Sequence, residues 1–208
     1  MAGRFITLEG GEGSGKSTQA KRLAGALEAR GLSVLVTREP GGSPGAEEIR
    51  TLLVNGAPGR WDVVTETLLV YAARADHVGR TIGPALLADQ WVISDRFADS
   101  TYAYQGAGRG LARETIRRID SLVLDDFKPD LTLMLDLDVE TGLKRASSRG
   151  GAESRFENFD RDFHERLRQA FLEIAKRNPD RCVLIDATQD EEAVAASIWA
   201  AVTRRFGL

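Results

Sequence analysis

The 208-residue chain holds one cysteine, Cys182, and two histidines. A lone thiol forms no internal disulfide and no cysteine-based zinc cluster. In the apolar run Cys182–Ile185 it is expected to be a buried structural group. Long hydrophobic runs are also missing. No apolar stretch approaches the ~20 residues of a membrane span. The opening residues MAGRFITLEGG reach a glycine-rich segment after one short apolar run, too short for a secretory leader and its cleavage site. Basic charge is not in excess either: 28 Lys and Arg stand against 31 Asp and Glu, a formal net charge of −3. Domains that coat nucleic acid are usually strongly basic. The expectation is a cytoplasmic protein with neither nucleic acid nor membrane as partner. The length fits a single domain over residues 1–208, ample for a closed core.

What is present is a repeated pattern. Short apolar, β-rich runs occur at Phe5–Leu8, Val34–Thr37, Trp91–Ser94, Leu131–Leu135 and Cys182–Ile185. Between and after them, helical spacing of apolar residues marks Ser17–Arg30, Ala46–Val54, Val64–Arg80, Arg113–Asp126, Val139–Arg149, Phe159–Lys176 and Glu191–Phe206. Continuous apolar strands alternating with helices predict an α/β fold whose parallel sheet is buried on both faces. No internal repeat or low-complexity tract interrupts it. The polar stretch 147–158 is the best place for a mobile segment.

The glycines concentrate where the first strand meets the first helix. Gly10-Gly11-Glu12-Gly13-Ser14-Gly15-Lys16-Ser17 fits G-x-x-x-x-G-K-[ST]. Glycines let backbone N–H groups turn toward phosphates, the lysine sets a point charge at the β- and γ-oxygens, and the hydroxyl serves Mg²⁺. The helix that starts there adds its positive end. A chance glycine-rich turn would lack the strand before and the helix after. The chain is therefore expected to bind ATP with Mg²⁺ in a P-loop NTPase fold. No Asn-Lys-x-Asp follows a strand, so a guanine-specific GTPase is disfavoured; an ATPase switch stays open on motif alone.

Ligands of open parallel sheets sit at the carboxyl ends of the strands. Three polar signals lie there. Arg38-Glu39-Pro40-Gly41-Gly42 follows the second run, Asp95-Arg96-Phe97 the third, and Asp136-Leu137-Asp138 the fourth. Asp95 suits Mg²⁺ or its waters, and Arg96 suits the phosphate of an acceptor. Asp136 and Asp138 are better explained by capping the next helix. No basic residue fills the four variable positions of the phosphate loop, so Lys16 is its only cation. Phosphoryl transfer spreads negative charge over the equatorial oxygens and calls for more. The arginines around Gly150-Gly151, namely Arg145, Arg149 and Arg155, are placed to supply it from a closing lid, which would also exclude water.

Taken together, these segments resemble bacterial thymidylate kinases essentially end to end. The likeness rests on FITLEGGEGSGKST (5–18), TREPGG (37–42), YAAR (71–74), Asp95-Arg96-Phe97, STYAYQG (100–106), KPDLTLML (128–135), GLKR (142–145) and IDAT (185–188). The resemblance implies a five-stranded P-loop kinase fold with a mobile arginine-bearing lid near 147–158, usually a homodimer. It implies transfer of the γ-phosphoryl group of ATP to thymidine monophosphate with Mg²⁺. It carries roles to individual residues: Lys16, with Arg149 and Arg155 of the lid, at the transferred group, Ser17 and Asp95 at the metal, Arg96 at the acceptor phosphate. Glu12 and Glu39 would face the acceptor, and Arg74 the thymine edge. Ser100, Thr101 and Gln105 would line the base pocket, and Tyr104 would crowd the sugar 2′ position. Val70 stands where the family commonly has an aromatic that stacks on thymine. Another nucleoside monophosphate or deoxynucleoside kinase is the nearest alternative.

Overall fold

The computed structural model describes residues 2–149 and 155–208, without the side chain of Arg149. The apolar runs become five strands: β1 (Phe5–Glu9), β2 (Val34–Arg38), β3 (Trp91–Asp95), β4 (Leu131–Asp136) and β5 (Cys182–Asp186). All pair in parallel, in the order β2-β3-β1-β4-β5. The central strand β1 is buried along its whole length, and its neighbour β4 nearly so. This is why both read as unbroken apolar runs. The edge strands β2 and β5 alternate between covered and open positions. Thr7 and Thr132 interrupt the apolar interior, and their hydroxyls pair at 2.8 Å, which satisfies both.

Helices α1 (Lys16–Glu28) and α9 (Glu191–Phe206) cover one face. Leu23 and Leu27 pack there with Val194, Ile198 and Val202 against Ile6, Leu8 and Leu133. On the other face α8 (Arg161–Arg177) brings Phe163, Leu167, Phe171 and Ile174 over Met134 and Cys182. Cys182 is buried, as expected, and burial pushes its thiol up to about 11. α8 starts at Arg161 because the Asp160 carboxylate accepts from the Phe163 amide at 2.7 Å. Phe159, expected on the helix, therefore lies just before its cap.

Further helices are α2 (Pro44–Val54), α3 (Val63–His77), α4 (Gly83–Leu87), α5 (Ala98–Thr101), α6 (Arg113–Leu124) and α7 (Val139–Arg149). The reading of one helix over 64–80 is corrected. α3 ends at His77 and passes through a π-helical turn, Val78–Ile82, into α4. Pro84 lacks the N–H an α-helical ladder would need there, and a π turn absorbs that misfit. A second π-helical turn, Tyr102–Gly108, continues α5. Asp138 caps α7 through the Thr141 amide at 2.9 Å, while Asp136 forms a two-pronged pair with Arg168 at 2.8 and 3.0 Å. Among the described residues no helix is long and apolar enough to cross a membrane.

Candidate active site

The carboxyl ends of β1, β2 and β3 open onto one cavity of about 770 Å³. Its donor end is the loop that leaves β1. Gly13 and Gly15 take left-handed conformations, with φ of 69° and 90°, which cost little only for glycine. Gly13 also has no room for a side chain, because a Cβ there would lie 2.0 Å from the carbonyl oxygen of Gly142 on α7. The glycine of the GLKR segment is required from the other side, because a Cβ on Gly142 would lie 2.5 Å from the carbonyl oxygen of Glu12. Lys16 is buried, and its Nζ donates to the carbonyls of Gly10 and Gly11 at 3.2 and 2.7 Å and to Ser14 Oγ at 3.2 Å. Burial, reinforced by the nearby Arg96 charge, pushes the ammonium down to about 8. Ser17 donates its hydroxyl proton to Asp95 at the end of β3.

Between the ends of the cavity lies Arg96, in a left-handed conformation with φ 73°, unusual for a side-chain-bearing residue. Its amide donates to Leu8 O at 2.9 Å. Its guanidinium donates to Gly10 O at 2.9 Å, Ser100 Oγ at 3.3 Å and Glu12 Oε1 at 3.1 Å. Tyr104 donates its hydroxyl to the same Glu12 oxygen at 2.6 Å, with its ring under the Arg96 guanidinium. Burial works to raise the Glu12 carboxyl, but Arg96, Lys16 and Tyr104 outweigh it and hold it at about 2. Beneath them Glu9 accepts from the amides of Phe97 and Ser100 at 2.7 and 3.3 Å and from Ser100 Oγ at 2.6 Å. This carboxylate caps the bend that carries Arg96. Burial, then the Asp99 charge, pushes it up to about 8.

The acceptor end is a set of buried partners. Arg74 donates from Nε to Glu39 Oε2 at 2.7 Å, from one terminal nitrogen to Thr101 Oγ1 at 3.0 Å, and from the other to Phe97 O at 3.1 Å. Glu39 also meets His77 Nδ1 at 3.1 Å, and His77 Nε2 pairs with Thr37 at 2.7 Å. A Cβ on Gly42 would lie 2.3 Å from that imidazole. Thr37, Glu39 and Gly42 of TREPGG are thus selected by the same buried histidine. Gln105 donates to Glu66 at 2.8 Å.

The structure brings Glu12, Lys16, Ser17, Glu39, Val70, Arg74, Asp95, Arg96, Ser100, Thr101, Tyr104 and Gln105 around this cavity. Arg155 does not join them. Its guanidinium is buried against Glu66 at 2.5 Å and donates to the carbonyls of Leu53, Ala57 and Pro58 at 3.0, 3.0 and 2.7 Å. The expectation that it faces Lys16 is corrected, because a buried carboxylate of α3 and three carbonyls of the segment 53–58 take up its guanidinium. The Arg149 side chain lies outside the described residues, and Arg145 donates to Ala187 O at 3.3 Å. The lining and supporting groups that were not anticipated include Glu9, Arg50, Glu66, His77 and Phe156. Glu66 carried a signal. Glu66, Val70 and Arg74 recur every four residues, which places them on one helix stripe.

Ser17 and Asp95 offer a hydroxyl and a carboxylate oxygen side by side. Among the described residues no group of three or more His, Cys, Asp or Glu could hold a metal. Such a pair suits Mg²⁺, which is commonly held by one or two protein oxygens plus phosphates and water.

The thymidylate kinase family profile matches residues 8–198. The chain belongs to the thymidylate kinase family. The thymidylate kinase of Caulobacter vibrioides is 58% identical over 206 residues, covering 99% of each chain. That of Magnetococcus marinus is 51% identical, covering 99% of this chain and 98% of its own. A crystal structure of thymidylate kinase from Ehrlichia chaffeensis superposes with a TM-score of 0.79 at 36% identity, covering 98% of this chain and 99% of that one. The five-stranded P-loop architecture is thus the family's own.

Proposed function

We propose that the protein transfers the γ-phosphoryl group of ATP to thymidine 5′-monophosphate, giving the diphosphate, within dTTP biosynthesis in the cytoplasm. The observation that carries this reading is a single cavity with Lys16 and Ser17 at one end, Arg74 and Gln105 at the other, and Arg96 between them. A phosphate monoester has its second pKa near 6 and is largely a dianion at neutral pH. Its oxygen can attack the γ-phosphorus without a general base. A new P–O bond forms as the bond to the β-phosphate oxygen breaks.

Lys16 and the loop amides of Gly10–Ser17 steady the charge on the transferred group. Arg96 holds the acceptor phosphate, and Glu12, paired to Arg96 and Tyr104, fixes that cation's direction. The Tyr104 ring fills the space a 2′-hydroxyl would need. Mg²⁺ at Ser17 and Asp95 would neutralise charge on the β- and γ-phosphates. The phosphate-side lid cation is assigned to Arg149, on a lid spanning 147–158, with Phe156 helping to exclude water. A homodimer is supported by Leu68 on α3 and Leu122 on α6, which are 52% and 85% exposed; sedimentation as a monomer would remove it.

A coupled assay with ATP, Mg²⁺ and each nucleoside monophosphate tests the reading. Turnover should require thymidine monophosphate. ATP consumption independent of acceptor, or preference for cytidine or uridine monophosphate, would sink it.

A further inference from the structure

Glu66 has no exposed surface and sits one helical turn before Val70 and two before Arg74. Its Oε2 lies 2.5 Å from an Arg155 nitrogen and 2.7 Å from one of Arg109. These cations satisfy the general need of a buried carboxylate for counter-charge. They do not account for its other oxygen. Glu66 Oε1 accepts from Gln105 Nε2 at 2.8 Å, and Gln105 lines the cavity beside Arg74 and Thr101.

A glutamine amide carries a donor and an acceptor that exchange places on a half-turn, whereas an ionised carboxylate only accepts. With Glu66 accepting one of its N–H groups, the Gln105 amide is held in one orientation and cannot exchange its NH₂ and carbonyl ends. Its carbonyl oxygen is then the atom left to meet a ligand. Arg74 is a donor only, and three of its N–H groups are spent on Glu39, Thr101 and Phe97, of the five it possesses. The base end thus offers a donor and an acceptor in a fixed order. A pyrimidine with a 4-oxo group and an N3–H complements that order. One with a 4-amino group and a bare N3 presents it reversed.

We propose that Glu66 is a positioning residue that locks the Gln105 amide and so makes the site select 4-oxo over 4-amino pyrimidine monophosphates. The inference rests on the thymidylate reading of this pocket. Sites that leave buried polar groups unpaired by the wrong substrate discriminate strongly, so freeing the amide should relax the choice.

The test compares kcat/KM for thymidine and deoxycytidine monophosphates in the wild-type chain, Glu66→Gln and Glu66→Asp. In Glu66→Gln the neighbouring amide no longer dictates which end of Gln105 faces the base. The thymidine-to-deoxycytidine ratio should fall at least tenfold, with the KM for ATP within twofold. Glu66→Asp keeps the counter-ion for Arg109 and Arg155 but withdraws from Gln105 by one methylene. It guards against a Glu66→Gln chain that fails to fold, and its ratio should fall at least threefold. The ratio is internal to each preparation and is unaffected by the folded fraction. Equal slowing of both substrates, with the ratio unchanged in the folded variants, would show a structural role alone and overturn the proposal. A wild-type chain that ignores thymidine monophosphate would overturn the thymidylate reading instead, a separate outcome.

Discussion

At the donor end of the cavity, the groups proposed to meet phosphate come from one short stretch, Gly10–Ser17, and consist mostly of backbone. At the acceptor end they come from β2, α3, β3 and the turns after it, and each side chain is tied to another before any ligand arrives. Arg74 is held by Glu39, Glu39 by His77, Gln105 by Glu66, and Arg96 by Glu12. A backbone cradle can be damaged locally. A chain of buried polar partners transmits damage, since breaking one buried ion pair strands the other charge at a cost of about 3–5 kcal/mol. Changes at the donor end should therefore act on rate, and changes at the acceptor end on selectivity and stability together.

The largest effect is expected from Lys16→Ala. Removing this charge from the transferred group should lower kcat about 10²–10³-fold and leave the fold intact by circular dichroism; a near-normal rate would contradict its place at the donor end. Next comes acid sensitivity through Glu12. Its carboxyl is held at about 2 against an ordinary 4.5, so its stabilising contribution is complete above 4.5 and disappears as pH falls toward 2. That difference is worth roughly 3 kcal/mol at neutral pH. Urea unfolding of wild type and Glu12→Gln should show this gap near pH 7, roughly halved at pH 3 and closed toward pH 2. A gap independent of pH would mean that Arg96 and Lys16 do not hold the carboxylate.

Arg96→Ala should weaken acceptor use by roughly 2 kcal/mol, about thirtyfold in kcat/KM for thymidine monophosphate. If only the KM for ATP moves, Arg96 belongs to the donor end and the division between the two ends is drawn in the wrong place. The smallest change is Val70→Phe. Val70 is half-buried on the cavity wall, and an aromatic there could stack on the base. Stacking contributes about 1–3 kcal/mol; taking about 1, the KM for thymidine monophosphate should fall roughly fivefold, and an unchanged KM would place the base elsewhere.

The same division governs what the sequence reveals. The donor loop is contiguous, so its spacing names its chemistry, and the continuous apolar strands name the parallel sheet. Gly106 and Gly108 lie in a stretch without helical periodicity, so the π-helical turn at Tyr102–Gly108 could not be anticipated. Glu9 looks like an ordinary surface carboxylate in one dimension, and Glu66 shows only that it shares a helix stripe with Val70 and Arg74. Only the fold shows that each is buried against donors from residues about 40 to 90 positions away. Arg155 illustrates the converse. Charge near a glycine pair suggested the phosphates, whereas its guanidinium is matched by Glu66, a partner that no local pattern links to it.

Where Gly13 meets Gly142, the phosphate loop and the root of α7 touch backbone to backbone. Mechanically they are one piece, and any swing of the chain past this contact must pivot beyond Gly142. From that pivot to the end of α7 at Arg149 is roughly 10 Å of helix. On an arm so short, a tilt of about 10° moves the tip by under ~2 Å. The last turns of α7 are therefore aimed from a fulcrum that the phosphate loop itself carries.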